Sequence, residues 1–463
     1  MTHPFRSWTL TLAAAAALGL PAAARAAAQA GAAPPTRSAA GLSPARLDEA
    51  AAPALHAFIG ARVHTAAGPV YDNGVLLVEG ATIRAVGRSG EVEVPPDAVV
   101  HEVRGKVLIP GLICTHSHIG GIGGADRSAP IQPDVRIHDS LNVRDSGFKR
   151  ALAGGLTTLN VMPGSGHLLS GQTIYLKLRD GNTVEELFVR DAAGEPMGGI
   201  KMANGTNPIG SAPFPGTRGK SAALVRKQFI AAQEYMAKID AAAGDPDKLP
   251  GRNLMLEPLV EVLKGQRVVH HHTHRHDDIV TVLRLAEEFG FRVVLHHVSE
   301  GWKVAEEIAA AGAACSIILV DSPGGKLEAV DLLMRTGAVL DEAGVKFAYH
   351  TDDWITDSRL FLRMGALGVR AGLSRGTALR ALTLHGAELL DLGARTGSLE
   401  PGKDADFVVL DGDPFSVYTK VLETWVEGVK RFDRSDPQDR LYAEGGFGAG
   451  HDQEPYFCCY GGQ

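Results

Sequence analysis

Eight short apolar runs punctuate the middle of the chain, at 107–116, 156–162, 172–178, 199–203, 267–272, 292–297, 314–320 and 345–352. Runs of this length, bounded by polar turns, read as strands buried on both faces. Helical periodicity fills most of the gaps. The clearest case is Asp277-Asp-Ile-Val-Thr-Val-Leu-Arg-Leu-Ala-Glu-Glu-Phe-Gly290, acidic at its start and closed by glycine. Such alternation implies parallel strands joined by crossover helices. Eight of them over about 285 residues predict an α/β fold, a (β/α)8 TIM barrel at 106–390. The run at 172–178 is the weakest of the eight, and 240–265 breaks the spacing as an inserted excursion.

Strand patterns with turn signals fill 55–105 and return at 391–435. Ala57-Phe-Ile-Gly-Ala-Arg-Val63, Gly74-Val-Leu-Leu-Val-Glu79 and Ala81-Thr-Ile-Arg-Ala-Val-Gly87 represent the first group. Asp406-Phe-Val-Val-Leu410 and Val421-Leu-Glu-Thr-Trp-Val-Glu-Gly-Val429 represent the second. Together they predict a small β-sandwich domain built from both ends of the chain. Ahead of it, Arg6, an apolar stretch from Trp8 to Leu20 and Ala24-Arg-Ala26 make residues 1–28 a secretory signal peptide. That stretch is shorter than the roughly 20 residues that span a bilayer, so no stable membrane span remains after cleavage. Residues 29–54 read as a flexible lead-in and 436–463 as a C-terminal tail carrying Cys458 and Cys459. The expected location is periplasmic or secreted.

A net charge of −7 and the lack of a Lys/Arg-rich block argue against a nucleic-acid partner. Cys114 and Cys315 lie in apolar runs and read as small core residues. The 18 histidines change the picture more, because many stand at the ends of runs. The first run ends in His116-Ser-His118, and alternation along a strand turns both imidazoles to one side. The fourth carries Lys201, the fifth ends in His270-His-His272-Thr-His274, the sixth in His296-His297, and the eighth in Tyr349-His-Thr-Asp352-Asp353. Imidazole and carboxylate are the ligands that borderline-soft divalent metals prefer. Barrel enzymes keep their chemistry at this end of their strands. No serine-nucleophile motif, phosphate loop or dinucleotide fingerprint competes.

Several further stretches share one pattern: Pro110-Gly-Leu112, Gly154-Gly-Leu-Thr-Thr158, Thr351-Asp352 and Gly397-Ser-Leu-Glu-Pro-Gly-Lys-Asp-Ala-Asp406. With the histidine pairs, they make nearly everything after residue 55 resemble the amidohydrolase superfamily, in its imidazolonepropionase-like and prolidase-like branch. The resemblance implies two divalent metals, zinc first, with manganese or iron as alternatives. His116 and His118 would hold the more buried metal, and His272 and His297 the second. Lys201, if carboxylated, would bridge them. Asp352 would bind the first metal and act as general acid/base. His270, His271 and His296 are the competing ligands. His167, Asn204, His274, Trp354 and Arg359 would line the substrate pocket, with Asn207 and Arg218 beside them. Asp353 departs from the pattern, since relatives often carry histidine there.

The implied function is an exported, metal-dependent amidohydrolase cleaving a C–N bond of a small amide, dipeptide or cyclic amide, prolidase-like in kind. The alternatives are a mononuclear deaminase or imidazolone-type cyclic-amide hydrolase, and a non-catalytic exported binding protein. Barrels of this kind often self-associate, so a homo-oligomer is a further expectation.

Overall fold

Gly111 divides the first apolar run into two strands that belong to different sheets. The computed structural model describes residues 55–122, 126–319, 326–353 and 355–445. The signal peptide and lead-in, Trp354, Cys458 and Cys459 lie outside the described residues. Before Gly111 come β1 (Leu55–His64), β2 (Val70–Glu79), β3 (Thr82–Arg88), β4 (Val99–Glu102) and β5 (Val107–Pro110). After it come β6 (Leu112–Ser117), β7 (Leu156–Val161), β8 (Leu169–Gln172), β9 (Ile174–Lys177) and β10 (Ile200–Ala203). Then follow β11 (Val269–Thr273), β12 (Val293–His297), β13 (Ala314–Ile317) and β14 (Phe347–Tyr349). The last strands are β15 (Phe407–Leu410), β16 (Val421–Val426) and β17 (Val429–Asp433). A Cβ at Gly111 would lie 2.3 Å from the Thr157 hydroxyl, so only glycine permits the crossing from one sheet to the other.

The first sheet runs β17-β16-β15-β5-β1-β2-β3, with β4 also on β1. It draws strands from both ends of the chain. Phe58, Leu76, Ile83, Leu108, Phe407 and Trp425 form its core. Val107–Pro110, assigned to the barrel by the sequence pattern, pairs instead with β1 and β15.

The middle of the chain is a mixed α/β, TIM-barrel-like array. Strands β10 to β14 run parallel in chain order, and β6 is parallel to β7. Helix α1 (Ser146–Ala153) precedes β7, and α2 (Arg218–Ala241) and α3 (Glu257–Leu263) connect β10 to β11. The 240–265 segment is thus the later part of that crossover. Helix α4 (His276–Phe289) precedes β12, with Asp277 and Asp278 in its first turn and Gly290 left-handed at φ 73°. Both features match the sequence signals for its ends.

The run at 172–178 departs from the parallel pattern. Strand β8 pairs antiparallel with β10, and β9 antiparallel with β7. Only residues 162–168 separate β7 from β8. The expected tail also begins with structure: Pro437–Glu444 is helical, capped by the Asp436 carboxylate, and packs beside α1. Among the described residues no helix is long and apolar enough to cross a membrane.

One buried ion pair ties the two parts together. The Lys177 ammonium at the end of β9 is fully buried, lies 2.9 Å from Asp404 and bonds Asp406. Asp406 also accepts from the Thr396 hydroxyl and the Glu427 amide. Removing one partner of a buried pair strands the other charge. Lys177→Ala should therefore lower stability by about 3–5 kcal/mol, read by urea denaturation. A loss below about 1 kcal/mol would show that the pair is solvated.

Candidate metal centre

The C-terminal ends of β6, β10, β11, β12 and β14 converge, and each brings a polar side chain into a nearly dry interior. His116, Lys201, His270, His296 and His350 are fully buried, and His271, His272 and His297 nearly so. Around His116, the His116 and His118 Nε2 atoms are 3.1 Å apart. Asp352 Oδ1 lies 3.4 Å from the first and 3.1 Å from the second. Zinc bonds of about 2.0–2.1 Å in a tetrahedron put neighbouring donors about 3.4 Å apart. These three donors therefore fit one cation without rearrangement. Lys201 Nζ is 3.4 Å from His116 Nε2 and 3.2 Å from Met162 Sδ. His297 Nδ1 is 3.8 Å from Asp352 Oδ2, and the His272 and His297 rings are 4.5 Å apart. All six predicted ligands are thus brought together.

The backbone at two of them is unusual. His297 (φ 70°), Val298 (φ 41°) and Asp352 (φ 47°) are left-handed without being glycine. Such conformations cost of order 1–3 kcal/mol each and concentrate at functional sites. Amide bonds hold them: Val298 donates to the Thr273 carbonyl, and Asp352 to that of His116.

The competing histidines take a different place. His116 Nδ1 is 3.2 Å from His296 Nδ1, His296 Nε2 is 3.0 Å from His270 Nδ1, and His270 Nε2 is 3.1 Å from the Tyr175 hydroxyl. A second line runs from His297 Nδ1 to His350 Nε2 at 3.1 Å, then from His350 Nδ1 to Ser316 Oγ at 2.7 Å. Ser316 reaches Thr115 Oγ1 at 2.6 Å, and Thr115 donates to the Tyr349 carbonyl. His270, His296 and His350 thus stand behind the predicted ligands, as the partners of metal-bound imidazoles commonly do, although His116, His296 and His350 also offer ligand atoms within 4.8 Å of one another. Both ring nitrogens of His272 and the Nε2 of His297 are buried without a partner. Buried unpaired donors are costly unless a ligand meets them, which fits a metal at this place.

The other predicted residues divide. His167 is buried with neither nitrogen partnered and sits beside Phe214. Asn204 donates to the Asp278 carbonyl, leaving its own oxygen unpaired. His274 lies against His272 and His297. Arg218 pairs with Asp278. Arg359 is clasped by Asp357 in a turn that packs on α1, so the structure does not bring it to the histidines. Asp353 accepts from the Ser117 and Ser358 hydroxyls, which makes it an anchor for two loops. Sequence patterning missed Glu328, whose carboxylate approaches His272 and His274. It lies in a single 3-10 turn, Leu327–Ala329, which carries no periodic signal in the sequence.

Burial sets the protonation of the site. It pushes His270, His271 and His350 each down to about 3 and His274 to about 4. The same cause drives His116, His272, His296 and His297 well below their ordinary value. Burial also lowers Lys201 to about 7. At Asp352 burial acts upward but is outweighed, chiefly by the hydrogen bond and charge of His118, which hold it at about 2.

The chain belongs to the amidohydrolase family, whose model matches residues 107–435. An amidohydrolase from Thermotoga maritima MSB8 superposes with a TM-score of 0.75 at 33% identity, covering 82% of this chain and 100% of that one. Amidohydrolase tasK of Hapsidospora irregularis is 27% identical over 391 residues, which are 78% of this chain and 40% of that protein. An imidazolonepropionase of Syntrophobacter fumaroxidans is 45% identical over 76 residues, 15% of this chain and 18% of that enzyme. The chain therefore spans less than half the length of these two curated relatives. Amidohydrolases are metal-dependent hydrolases, and this chain carries candidate His/Asp ligand groups.

The buried histidines stay neutral in the folded chain far below pH 6.5, where the unfolded chain takes up protons. Between about pH 6.5 and 3 the unfolded state binds more protons, so stability falls as pH falls. Each ring contributes up to about 1.4 kcal/mol per pH unit in that window. Metal-free protein should show a Tm that drops steeply between about pH 7 and 5. A flat Tm across that range would mean the rings are solvated.

Proposed function

We propose that the chain is an exported metal-dependent amidohydrolase that hydrolyses the C–N bond of a small amide, dipeptide or cyclic amide. The observation that carries this reading is the trio His116, His118 and Asp352, whose donors already stand 3.1–3.4 Å apart. His116 and His118 would hold the first cation with Asp352. His272 and His297 would hold a second, with Lys201 between the two if its amine is carboxylated. Zinc suits this nitrogen-rich donor set, and manganese or iron would also be accepted. A divalent metal bound there supplies Lewis acidity and lowers the pKa of nearby water towards neutrality.

Asp352 is the residue placed to handle protons. Its carboxylate is ionised, and its side chain is 22% exposed. It would accept the proton of an attacking water and return it to the departing nitrogen. His167 and Asn204 offer unpaired buried atoms to a substrate, and His274 extends that wall. In this reading the strand array closes as a (β/α)8 barrel, and the sheet from the chain ends forms a β-sandwich-like domain. Export rests on the sequence of residues 1–28.

A single-metal reading also has support. The His116 trio is complete without Lys201, whose amine sits against the Met162 sulfur. A mononuclear cyclic-amide hydrolase or deaminase would use that trio alone.

Protein purified without chelators should carry divalent metal by elemental analysis and hydrolyse members of a panel of dipeptides, N-acyl amino acids and cyclic amides. Asp352→Asn should lower kcat/KM by at least about 10²-fold. Full activity in that variant, or protein that takes up neither zinc nor manganese, would overturn the assignment. Lys201→Ala separates the two metal readings: loss of one metal equivalent supports the bridged pair, and unchanged content supports the single ion.

A further inference from the structure

Two donors outside the centre just proposed, His274 and Glu328, meet His272. His272, His274 and Glu328 each offer a ligand atom within 4.8 Å of the others, and all three side chains are buried. Each has a free atom. His274 Nδ1 is bonded to Ser299 Oγ at 2.8 Å, leaving Nε2 unpaired. Glu328 Oε2 accepts from the Thr206 amide at 2.9 Å, leaving Oε1 unpaired. Both nitrogens of His272 are unpaired, and a neutral ring ligates through only one of them, so His272 would serve either this site or the second cation of the hydrolase centre, not both at once. The carboxylate also has a built place: Gly205 is left-handed at φ 76°, and a Cβ there would lie 2.7 Å from Glu328 Oε2.

We infer that His272, His274 and Glu328 form a further divalent-cation site. Two imidazoles and one carboxylate, each fixed from behind by a hydrogen bond or a packed neighbour, are a donor set for zinc or another borderline-soft divalent ion with an open coordination position. The spacing is slightly wider than a coordination edge of about 3.4 Å, a gap that side-chain rotation closes. The charges around it are balanced. Arg218 is held by Asp278 and approaches Glu328 to 3.6 Å. The Lys326 ammonium acts on both imidazoles and opposes a cation. Glu328 would exchange part of its pairing with these cations for the metal.

The inference builds on the metal-hydrolase reading but requires ligands that the reading does not. Elemental analysis and zinc or cobalt(II) titration of the full mature chain test both at once. Glu328→Gln, which keeps the shape of the side chain, should remove one metal equivalent or weaken its Kd at least 10-fold. Lys326→Met should tighten the same equivalent. Circular dichroism and Tm would establish that each variant folds, and the cobalt(II) visible spectrum would show which ligand field is lost. Unchanged stoichiometry and Kd in folded Glu328→Gln would overturn the inference, whatever the activity. If the wild type binds metal that Asp352→Asn loses and Glu328→Gln keeps, the hydrolase reading stands and this site falls. Metal lost in Glu328→Gln but kept in Asp352→Asn supports this site and removes the His116 centre. No uptake by the wild type overturns both.

Discussion

An interior packed with imidazoles must keep them uncharged, and that constraint governs the core of this protein. A protonated histidine at the position of His296 or His350 would face other imidazoles and Lys201, with too little counter-charge. Neutral rings have one donor and one acceptor each, so every hydrogen bond fixes the next. If His297 is to offer Nε2 to a cation, its Nδ1 must carry the proton and donate to His350. His350 then donates to Ser316, Ser316 to Thr115, and Thr115 to the Tyr349 carbonyl. That line ends on an obligate acceptor, so its direction is set. The line behind His116 works the same way: a free Nε2 requires Nδ1–H towards His296, then His296 towards His270, and His270 towards the Tyr175 oxygen. The ligands' tautomers are therefore decided several residues away from them.

The strand array makes this possible. Parallel strands buried on both faces deliver side chains in register. His270, His271 and His272 on β11 pair with Val294, Leu295 and His296 on β12. Alternate positions on one face of a strand then serve different layers. His270 lies inward with Tyr175, while His272 lies at the strand end beside His274. Left-handed turns at His297 and Asp352 bend the chain where a strand would otherwise carry the side chain past the centre. Their conformational cost is offset by the packed surroundings, and it buys orientation at the ligands.

Much of this was legible in the sequence, for a physical reason. Apolar runs ending in histidine declare both a buried strand and the polar end that must find a partner. The runs supplied the candidates, and the family resemblance picked His116, His118, Lys201, His272, His297 and Asp352 from among them; the structure places these six within one cluster. Patterning does not show strand direction, so 172–178 read as a parallel strand, whereas β9 within it pairs antiparallel with β7 and β8 just before it pairs antiparallel with β10. Nor can it split a run that changes sheets at one glycine. It also cannot assign neighbouring histidines to different layers, which left His270 and His296 as rival ligands. Glu328 and Arg359 show the same limit from opposite sides. Each sits in a single short 3-10 turn, too brief to leave a periodic signal, and only the fold puts Glu328 beside His272 while Arg359 closes on its near neighbour Asp357.

Lys201 shows how far burial alone can change chemistry. An ordinary lysine with a pKa near 10.4 is neutral in fewer than about one molecule in a thousand at pH 7. Held at about 7, the Lys201 amine is neutral about half the time. Attack on carbon dioxide needs that neutral form: the nitrogen lone pair forms the N–C bond, and one N–H proton departs. Burial thus raises the reactive fraction by about three orders of magnitude, and the neutral His116 imidazole 3.4 Å away stands where it could take the departing proton. The same burial penalises the carbamate's negative charge unless cations meet it. Uncarboxylated, the amine rests on a sulfur and an imidazole, neither of which carries counter-charge. Carboxylated, it would need the cations that the surrounding histidines are arranged to hold. In the bridged-metal reading, modification of Lys201 and metal loading would therefore be coupled through one desolvation penalty, each making the other less costly.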